Sequence, residues 1–443
     1  MNRSDVATAV RGALGGIAGG RLQALPFTLR FWDGSTLAGE SATPVTVIRS
    51  PKAFAYLLRA PNQIGLARAW VTGALDVEGD LGVVLAARKR FEGIALSAAD
   101  RTKLVLAALR SAPSVLVGPA PVPGIEAAPR GRRHSLGRDR IAVRHHYDVS
   151  NDFYRLLLGP SLTYSCGYFE TPQATLDSAQ ERKHELICRK LRLVPGERLL
   201  DIGCGWGSLL LHAAARHGVR GVGVTLSASQ AELARERVRE QGLSDVVEIR
   251  IADYREISDG PFDKVASVGM YEHVGRAELG RYAGTIAGLL RPGGLFLNHG
   301  IARLASEPPR SDTFISRYIF PDGELHPVAE IQAAMLAAGL EVRDVESLRE
   351  HYPLTLRRWL ANLESHLPEV IAMVGEERER AWWLYLVASA QGFDDGDISI
   401  YQVLGARLGS DHQLPLDRAE LIGAAKVKAM RQSANEREEQ RAN

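Results

Sequence analysis

The amino-acid sequence predicts a doubly wound, Rossmann-like α/β domain that follows a smaller mixed α+β domain. Three observations support this prediction. The 443 residues exceed what one hydrophobic core normally supports, so two domains are expected. From Arg198 onward, short apolar runs alternate with helix-length segments, which is typical of a parallel sheet covered on both faces. A glycine-rich loop follows the first of these runs, where glycines permit a tight turn and the close approach of a ligand.

The amino-terminal region, residues 1–117, has the pattern of a small mixed domain. Two strand-like segments, residues 25–32 and 44–47, flank the turn Asp33-Gly34-Ser35, which predicts a hairpin. Helical periodicity follows in residues 50–59, 66–72, 81–91 and 98–111. Residues 118–140 lack periodicity and are rich in proline and arginine, which predicts a linker. Its basic residues suit either a solvated joint or a strip that contacts an anionic surface.

Residues 141–410 carry the α/β pattern. Successive strands are predicted at residues 199–202, 221–224, 247–251, 264–268 and 294–297. Residues 311–327 interrupt this rhythm, so we interpret them as a lid whose aromatic side chains cover a substrate. The last residues, 411–443, end in a charged and polar stretch that predicts a frayed tail.

The composition argues against several classes of protein. The 54 Lys and Arg residues and 52 Asp and Glu residues give a net charge of +2, so global charge does not imply attraction to nucleic acid. Cys166, Cys188 and Cys204 lack CxxC spacing and predict neither a disulfide framework nor a zinc site. The sequence contains no signal peptide pattern and no apolar run of about 18 residues. We therefore expect a cytoplasmic protein without a metal.

The glycine-rich loop reads Asp201-Ile-Gly-Cys-Gly-Trp-Gly207, with Gly203 and Gly205 at the turn. Dinucleotide enzymes place a carboxylate for the ribose about 20 positions later, whereas the second strand here ends at Thr225 without one. Neutral hydrogen-bonding candidates remain there: Thr225, Ser227 and Gln230.

Two acidic positions suit a different cofactor. Asp201 suits the cationic amino-acid portion of S-adenosylmethionine (SAM), and Asp253 with Tyr254 suits adenine. The loop therefore favours a SAM-dependent methyltransferase. The alternative is a glycine turn that only packs strand against helix.

Four separated motifs are similar to one enzyme family. They are Tyr147-Asp-Val-Ser-Asn-Asp-Phe-Tyr154, Leu162-Thr-Tyr-Ser-Cys-Gly-Tyr168, Val268-Gly-Met-Tyr-Glu-His-Val-Gly275 and Tyr318-Ile-Phe-Pro-Asp-Gly323. On these motifs the chain resembles the cyclopropane-fatty-acyl-phospholipid synthases and the related mycolic acid methyltransferases, closely over residues 139–407. The amino-terminal region resembles the extra domain of the phospholipid-acting members.

The resemblance implies a class I methyltransferase domain and a lipid substrate met at the membrane surface. It adds Tyr164 and Ser165 to the residues around SAM. It also implies a bicarbonate ion held at five positions: Cys166, Glu272, His299, Ile301 and Tyr352. Attack of an alkene on the sulfonium methyl leaves a carbocation that must lose a proton. A bicarbonate held by His299, Tyr352 and a backbone amide near Ile301 would serve as the base, with Glu272 orienting it.

Each of these residues also has an ordinary structural interpretation. Cys166 suits a small buried apolar position, and Glu272 with His273 suits a strand-to-helix junction with a satisfied polar pair. His299 suits the end of the strand that begins at residue 294. Tyr352 suits a core aromatic residue in a turn.

The chain departs from the family at two positions. Ser389 stands where many relatives carry a cysteine, which argues against a covalent cysteine mechanism and favours ionic proton abstraction. Gly300 stands within His299-Gly-Ile301, where ring-closing relatives commonly read His-Thr-Ile. Because base placement decides which proton is lost, the product is either a cyclopropane or a methylene branch. The branch route implies a flavin reductase partner.

We therefore expect a SAM-dependent enzyme that adds one carbon to an acyl double bond of a membrane phospholipid. It would lie at the inner membrane face as a peripheral protein. We also expect a homo-oligomer, because most soluble protein assemblies consist of identical chains. A nucleic-acid or protein methyltransferase shares the glycine loop, but the chain lacks an Asn/Asp-Pro-Pro-Tyr motif and a broad basic excess. A non-catalytic lipid-binding or cofactor-binding subunit is the third alternative.

Overall fold

A computed structural model describes residues 5–14, 25–87, 99–100, 102–103, 106, 121–127, 131–147, 149–304 and 313–423. The chain divides into two compact units. The first comprises Met1–Ala128, Arg310–Pro321 and Leu363–Gln391, and the second comprises Pro129–Pro309, Asp322–Asn362 and Gly392–Asn443. The sequence analysis predicts that residues 141–410 form one continuous domain. In the structure, two segments of that range, residues 310–321 and 363–391, belong to the first unit.

The strands are β1 (Thr28–Phe31), β2 (Thr36–Leu37), β3 (Val45–Ile48), β4 (Leu75–Glu78), β5 (Arg198–Ile202), β6 (Arg220–Thr225), β7 (Val247–Ile251), β8 (Phe262–Val268), β9 (Leu290–Arg303), β10 (Leu340–Ser347) and β11 (Ile398–Arg407). The helices are α1 (Val6–Leu14), α2 (Lys52–Arg59), α3 (Gln63–Val71), α4 (Leu81–Ala86), α5 (Leu136–Tyr147), α6 (Asn151–Leu158), α7 (Leu176–Lys190), α8 (Ser208–His217), α9 (Ala228–Glu240), α10 (Leu279–Leu289), α11 (Phe314–Tyr318), α12 (Val328–Ala337), α13 (His351–Ser365), α14 (Leu367–Val374), α15 (Glu376–Asp394) and α16 (Arg418–Leu421).

A four-stranded sheet in the order β2-β1-β3-β4 lies in the first unit. β1 pairs antiparallel with β2 and parallel with β3. The predicted hairpin partner, residues 44–47, was therefore wrong, because the turn at Asp33 leads directly into β2. Residues after β2 carry the chain back, so that β3 runs parallel to β1.

A late segment of the chain joins this unit through tryptophan and arginine contacts. Trp70 in α3 donates its indole N–H to the carbonyl of Arg380 at 2.8 Å, and the Arg380 guanidinium lies 4.4 Å from the centroid of the Trp70 ring. A cation–π contact and a hydrogen bond therefore hold α15 against α3. This pairing of residues 310 positions apart is invisible to local sequence patterns.

The second unit contains a seven-stranded sheet in the order β10-β11-β9-β8-β5-β6-β7. β5 to β9 are parallel neighbours, which confirms the doubly wound class and all five predicted strands. β11 is antiparallel to both β9 and β10. Consecutive residues Leu199 and Leu200 on β5 are both fully buried, in two different hydrophobic clusters. Helices therefore cover both faces of the sheet.

Part of the predicted linker is helical, and three of its described arginines, Arg133, Arg138 and Arg140, form ion pairs. Residues 136–140 belong to α5, so the linker prediction is wrong at this end. Arg138 donates from Nη2 to Asp322 Oδ1 at 2.7 Å, and Arg133 Nε lies 3.3 Å from the same oxygen. Arg140 pairs with Glu256. These ion pairs neutralise part of the predicted basic strip. Arg130 lies outside the described residues.

The predicted lid and tail also contact the protein body. Tyr318, in the lid segment, is buried and donates its hydroxyl to Glu126 Oε2 at 2.9 Å within the first unit. Arg418, in the predicted tail, donates to Asp344 Oδ1 at 2.6 Å. The tail therefore begins later than residue 411, and residues 424–443 lie outside the described residues. None of the described helices is both long and apolar enough to cross a bilayer.

Candidate active site

The glycine loop joins β5 to α8 and is held in left-handed backbone conformations. Gly203, Gly205 and Gly207 have φ angles of 78°, 55° and 80°, which residues with a side chain rarely adopt. The N–H groups of Gly203 and Cys204 donate to the Val224 carbonyl at 2.9 and 3.0 Å, which ties the loop to β6. These two hydrogen bonds hold the loop against the end of β6.

A cavity opens at the carboxyl ends of the parallel strands. Nine of the ten predicted cofactor residues line it: Tyr164, Ser165, Asp201, Gly203, Gly205, Thr225, Gln230, Asp253 and Tyr254. Ser227 is the exception. It is fully buried and caps α9 by accepting the Gln230 N–H at 3.3 Å. Ser227 therefore shapes the wall of the cavity from behind instead of facing it.

Polar contacts fix the cavity walls near β6 and β7. Thr225 donates its hydroxyl to Gln230 Oε1 at 2.8 Å. Asp253 accepts Nε and Nη2 of Arg255, both at 2.7 Å, and the Arg255 backbone N–H at 3.0 Å. Burial raises the pKa of the neighbouring Tyr254 to about 12, so its ring stays neutral. Asp253 is thus engaged by Arg255, which limits its direct contact with a ligand.

A buried lysine, which the sequence reasoning missed, also lines the cavity. Lys183 on α7 is 1% exposed and donates to Ser165 Oγ at 2.9 Å. Burial lowers the pKa of Lys183 to about 7 and raises that of Asp201 to about 7. Ala179 and Ile187, four residues before and after it, are fully buried. A lysine on the apolar face of a helix was the signal that could have identified it.

Glu272 lies just beyond the end of β8 with half of its carboxylate satisfied. Its Oε1 accepts the backbone N–H of Ile301 at 2.8 Å, whereas Oε2 is buried and has no hydrogen-bond partner among the residues that the structure describes. Burial raises the Glu272 pKa to about 7, although the Ile301 N–H opposes this shift. The Ile301 N–H, close to the amide expected to hold an oxyanion, thus binds Glu272 in this structure, which brings the two predicted residues together.

His299 on β9 is fully buried and presents one free ring nitrogen. Gln402 Nε2 lies 3.1 Å from His299 Nδ1, and an amide NH₂ only donates, so Nδ1 accepts and the ring proton lies on Nε2. His299 Nε2 is buried without a partner. Burial also lowers the pKa of His299 well below its usual value, so the ring is neutral. The result is an N–H donor with no acceptor in the described structure.

The five predicted catalytic residues are absent from the described lining of the cavity, although Cys166 follows Ser165 and Glu272 precedes His273, which both line it. The Gly269 N–H, which is on the lining, donates to the His299 carbonyl at 2.8 Å. Cys166 is fully buried, with Sγ 3.3 Å from the Gly167 carbonyl, and burial raises its thiol pKa. Tyr352 is buried, and its ring stacks on Phe393 with centroids 4.5 Å apart.

Packing against a neighbouring side chain explains why residue 300 is a glycine in this chain. A Cβ added there would lie 2.0 Å from Tyr271 Cε1 and 2.1 Å from Cδ1. Tyr271 is 2% exposed and donates its hydroxyl to the Ile301 carbonyl at 2.7 Å. The tyrosine ring thus fills the space that a side chain at position 300 would need.

Three side chains of the types that bind metal ions lie close together outside the cavity lining. Cys188, His212 and His217 each offer a ligand atom, and these atoms lie within 4.8 Å of one another. Glu185 Oε2 lies 3.2 Å from His212 Nε2 and 3.0 Å from His217 Nε2. Hydrogen bonding to Glu185 explains the position of both imidazoles. The expectation of a metal-free protein stays a prediction.

The fold and the cavity together define a class of enzyme. Parallel strands in the order β9-β8-β5-β6-β7, an antiparallel β11 and a glycine loop after β5 form the sheet and loop of class I SAM-dependent methyltransferases. The cavity fits that cofactor, because glycines without side chains line it beside a buried cation and a buried carboxylate.

Comparisons with known proteins agree. Residues 134–403 match the mycolic acid cyclopropane synthetase family. The probable fatty acid methyltransferase Rv3720 of Mycobacterium tuberculosis is 40% identical over 407 residues, covering 88% of this chain and 94% of that protein. The cyclopropane-fatty-acyl-phospholipid synthase of Escherichia coli is 38% identical over 273 residues, covering 62% and 69%. The structure of mycolic acid cyclopropane synthase CmaA1 complexed with SAH and CTAB is 35% identical, with a TM-score of 0.58 over 60% of this chain and 98% of that one.

The family match spans more than half of the chain and contains the whole cavity lining. This chain belongs to the mycolic acid cyclopropane synthetase family, and it is a SAM-dependent C-methyltransferase.

Proposed function

We propose that this enzyme adds a one-carbon unit from SAM to the double bond of an unsaturated fatty acyl chain in a membrane phospholipid. The observation that supports this best is the pair of unpartnered buried atoms, Glu272 Oε2 and His299 Nε2, next to the cofactor cavity. Buried polar atoms in folded proteins almost always have partners, so two such atoms beside a cavity suggest a reactive site. Membership of the family adds the substrate class.

The residues beside the cavity have distinct tasks in this reaction. SAM supplies an electrophilic methyl group on a sulfonium sulfur. Glu272, whose pKa is about 7, holds or releases a proton near neutrality. His299 offers an N–H donor fixed by Gln402. Proton removal from the carbocation formed on the acyl chain requires a base within reach, and a general base with a pKa near the working pH is the most effective.

A bicarbonate ion is proposed as the partner of these two residues. His299 Nε2–H fits an oxyanion as a donor, and Glu272 fits it when a proton is shared between the two. The Ile301 N–H, which binds Glu272 Oε1, would fix the carboxylate beside the ion. The ion would supply a small mobile base inside an apolar pocket. Tyr352 is proposed to hold the ion together with His299, and Cys166 remains a proposed residue of the same ion site.

The membrane surface is the proposed place of action, with the protein peripheral on the cytoplasmic side. Arg132, exposed and without an ion pair among the described residues, is the linker residue most available to anionic headgroups. The ion pairs of Arg133 and Arg138 with Asp322 leave a weaker basic strip than the sequence suggested. A homo-oligomer stays a prediction.

A methylene product, with a flavin reductase partner for its reduction, is the second candidate. Rv3720, named a probable fatty acid methyltransferase, matches 88% of this chain, whereas the E. coli cyclopropane synthase matches 62%. Gly300 with Tyr271 also alters the wall beside Glu272, whose Oε2 would be 3.4 Å from a Cβ at position 300.

The test is incubation of purified protein with SAM and vesicles of dioleoyl phospholipids. Mass spectrometry should show a gain of one CH₂ per modified acyl chain. Proton NMR then separates cyclopropyl from vinylidene signals, because the two products are isomers. Transfer of labelled methyl to RNA or protein, with none to lipid, would contradict the proposal. Co-sedimentation with anionic vesicles, compared between wild type and Arg132→Ala, tests the membrane surface.

A further inference from the structure

The cofactor cavity contains a buried cation and a buried carboxylate that do not pair with each other. Lys183 is 1% exposed and Asp201 is 3% exposed, and both line the cavity. Within the described residues, the Lys183 ammonium has one hydrogen-bond partner, Ser165 Oγ at 2.9 Å, and no carboxylate oxygen within 4.0 Å. Two of its three N–H donors therefore lack a protein acceptor.

Neighbouring contacts fix the position of this ammonium group. Gln180, three residues earlier on α7, donates from Nε2 to the Ser165 carbonyl at 2.8 Å and the Thr163 carbonyl at 3.3 Å. α7 thus anchors the 163–165 segment with Gln180 and faces the cavity with Lys183. Asp201 enters the same cavity from the end of β5.

An unpaired buried charge is strongly unfavourable, so such a group either becomes neutral or is paired when a ligand of opposite charge binds. A cation and an anion that face one cavity from different elements complement a zwitterion. The amino-acid end of SAM is a zwitterion, with a carboxylate and an ammonium on one carbon.

We propose that Lys183 binds the α-carboxylate of SAM while Asp201 binds its α-ammonium group. This inference rests on SAM as the cofactor in the proposed function and is independent of the acyl substrate. It gives Lys183 a binding role that accounts for its burial. The lowered pKa of Lys183 is in accord with this, because burial without a counter-ion weakens its charge and a bound carboxylate would restore it.

The experiment is calorimetric binding of three adenosine thioethers that need no turnover. They are S-adenosylhomocysteine, its decarboxylated analogue, which keeps the amine, and methylthioadenosine, which lacks the amino-acid end. Wild type should bind S-adenosylhomocysteine about 10-fold or more tighter than the decarboxylated analogue, as expected for a charge-assisted hydrogen bond. The Lys183→Met variant should bind S-adenosylhomocysteine and the decarboxylated analogue with affinities that differ by less than about threefold. Its affinity for methylthioadenosine should equal that of wild type.

Two results would overturn the inference. One is a wild type that binds both ligands equally, which needs no variant and is therefore independent of folding. The other is a Lys183→Met protein that binds methylthioadenosine normally and still prefers the carboxylate. Lys183→Arg, which keeps the charge, should retain part of the preference. Failure of lipid methylation with the carboxylate preference intact would contradict only the proposed substrate, so the two proposals fail separately.

Discussion

Replacement of Gly300 by alanine should destabilise the second unit through a clash with one identified ring. The new Cβ would lie 2.0 Å from Tyr271 Cε1, where carbon atoms normally approach to about 3.5 Å, so the ring must move by roughly 1.5 Å. Tyr271 is 2% exposed and held by its hydrogen bond to Ile301. Overpacking costs about 1–3 kcal/mol and a strained buried hydrogen bond about 1 kcal/mol more. We expect a loss of about 2–4 kcal/mol in the free energy of unfolding.

Urea unfolding followed by near-ultraviolet circular dichroism measures this change. Gly284→Ala is the matched control, because it makes the same substitution within α10 where no atom lies within 4 Å of the added Cβ. Tyr271→Leu should relieve the clash. The double variant should therefore lose less free energy of unfolding than the two single variants lose together, by about 1 kcal/mol or more, as is typical of residues in contact. A Gly300→Ala loss below about 0.5 kcal/mol, or strict additivity, would refute the packing argument.

Three other predictions concern Glu272 and the thiols. Glu272→Gln should lower kcat about 100-fold or more while the affinity for S-adenosylhomocysteine stays within about threefold, because the carboxylate shares a proton with the proposed base and does not line the cofactor cavity. Retention of full turnover would show that Glu272 takes no part in proton removal. Because burial raises the Glu272 pKa from 4.5 to about 7, its contribution to stability is complete below pH 4.5 and is lost as pH rises through about 7. The stability of wild type relative to Glu272→Gln should therefore fall by an amount on the order of 3 kcal/mol over that range, and a flat difference in urea titrations would contradict this. Cys166 and Cys188, buried with raised thiol pKa values, should resist iodoacetamide in the native protein and react in urea, as measured by mass spectrometry, whereas rapid native labelling would contradict their burial.

The cofactor cavity was the most predictable part of the molecule. The glycine loop, Thr225 and Gln230 lie at strand ends that can be read from short apolar runs, and parallel strands bring their carboxyl ends to one edge. Ser227 caps α9 and is absent from the cavity lining, because a serine at that point serves equally as a ligand contact or as a helix cap and only the backbone conformation distinguishes these. Lys183 was missed because a lysine within a helix is usually solvent-exposed.

The proposed base site was less predictable in its details. The resemblance brought Glu272, His299 and Ile301 into one group, and the structure places them on adjacent segments. It did not reveal that the Ile301 N–H is occupied by Glu272, or that Gln402, 103 residues from His299, determines which ring nitrogen carries the proton. The Gln402 contact depends on the register between β9 and β11, and the Glu272 contact depends on how the segment after β8 packs against β9; no local pattern specifies either.

The sequence by itself determined the class of fold, the positions of the parallel strands along the chain and the kind of cofactor, because each depends on periodicity or on residues a few positions apart. Only the tertiary structure decided which segments form each unit, which linker arginines are neutralised and which buried charges face the cavity. These properties arise from contacts such as those of Arg380 with Trp70 and Arg138 with Asp322, between residues far apart in the chain. Their energies depend on distance and burial, and both exist only after the chain has folded.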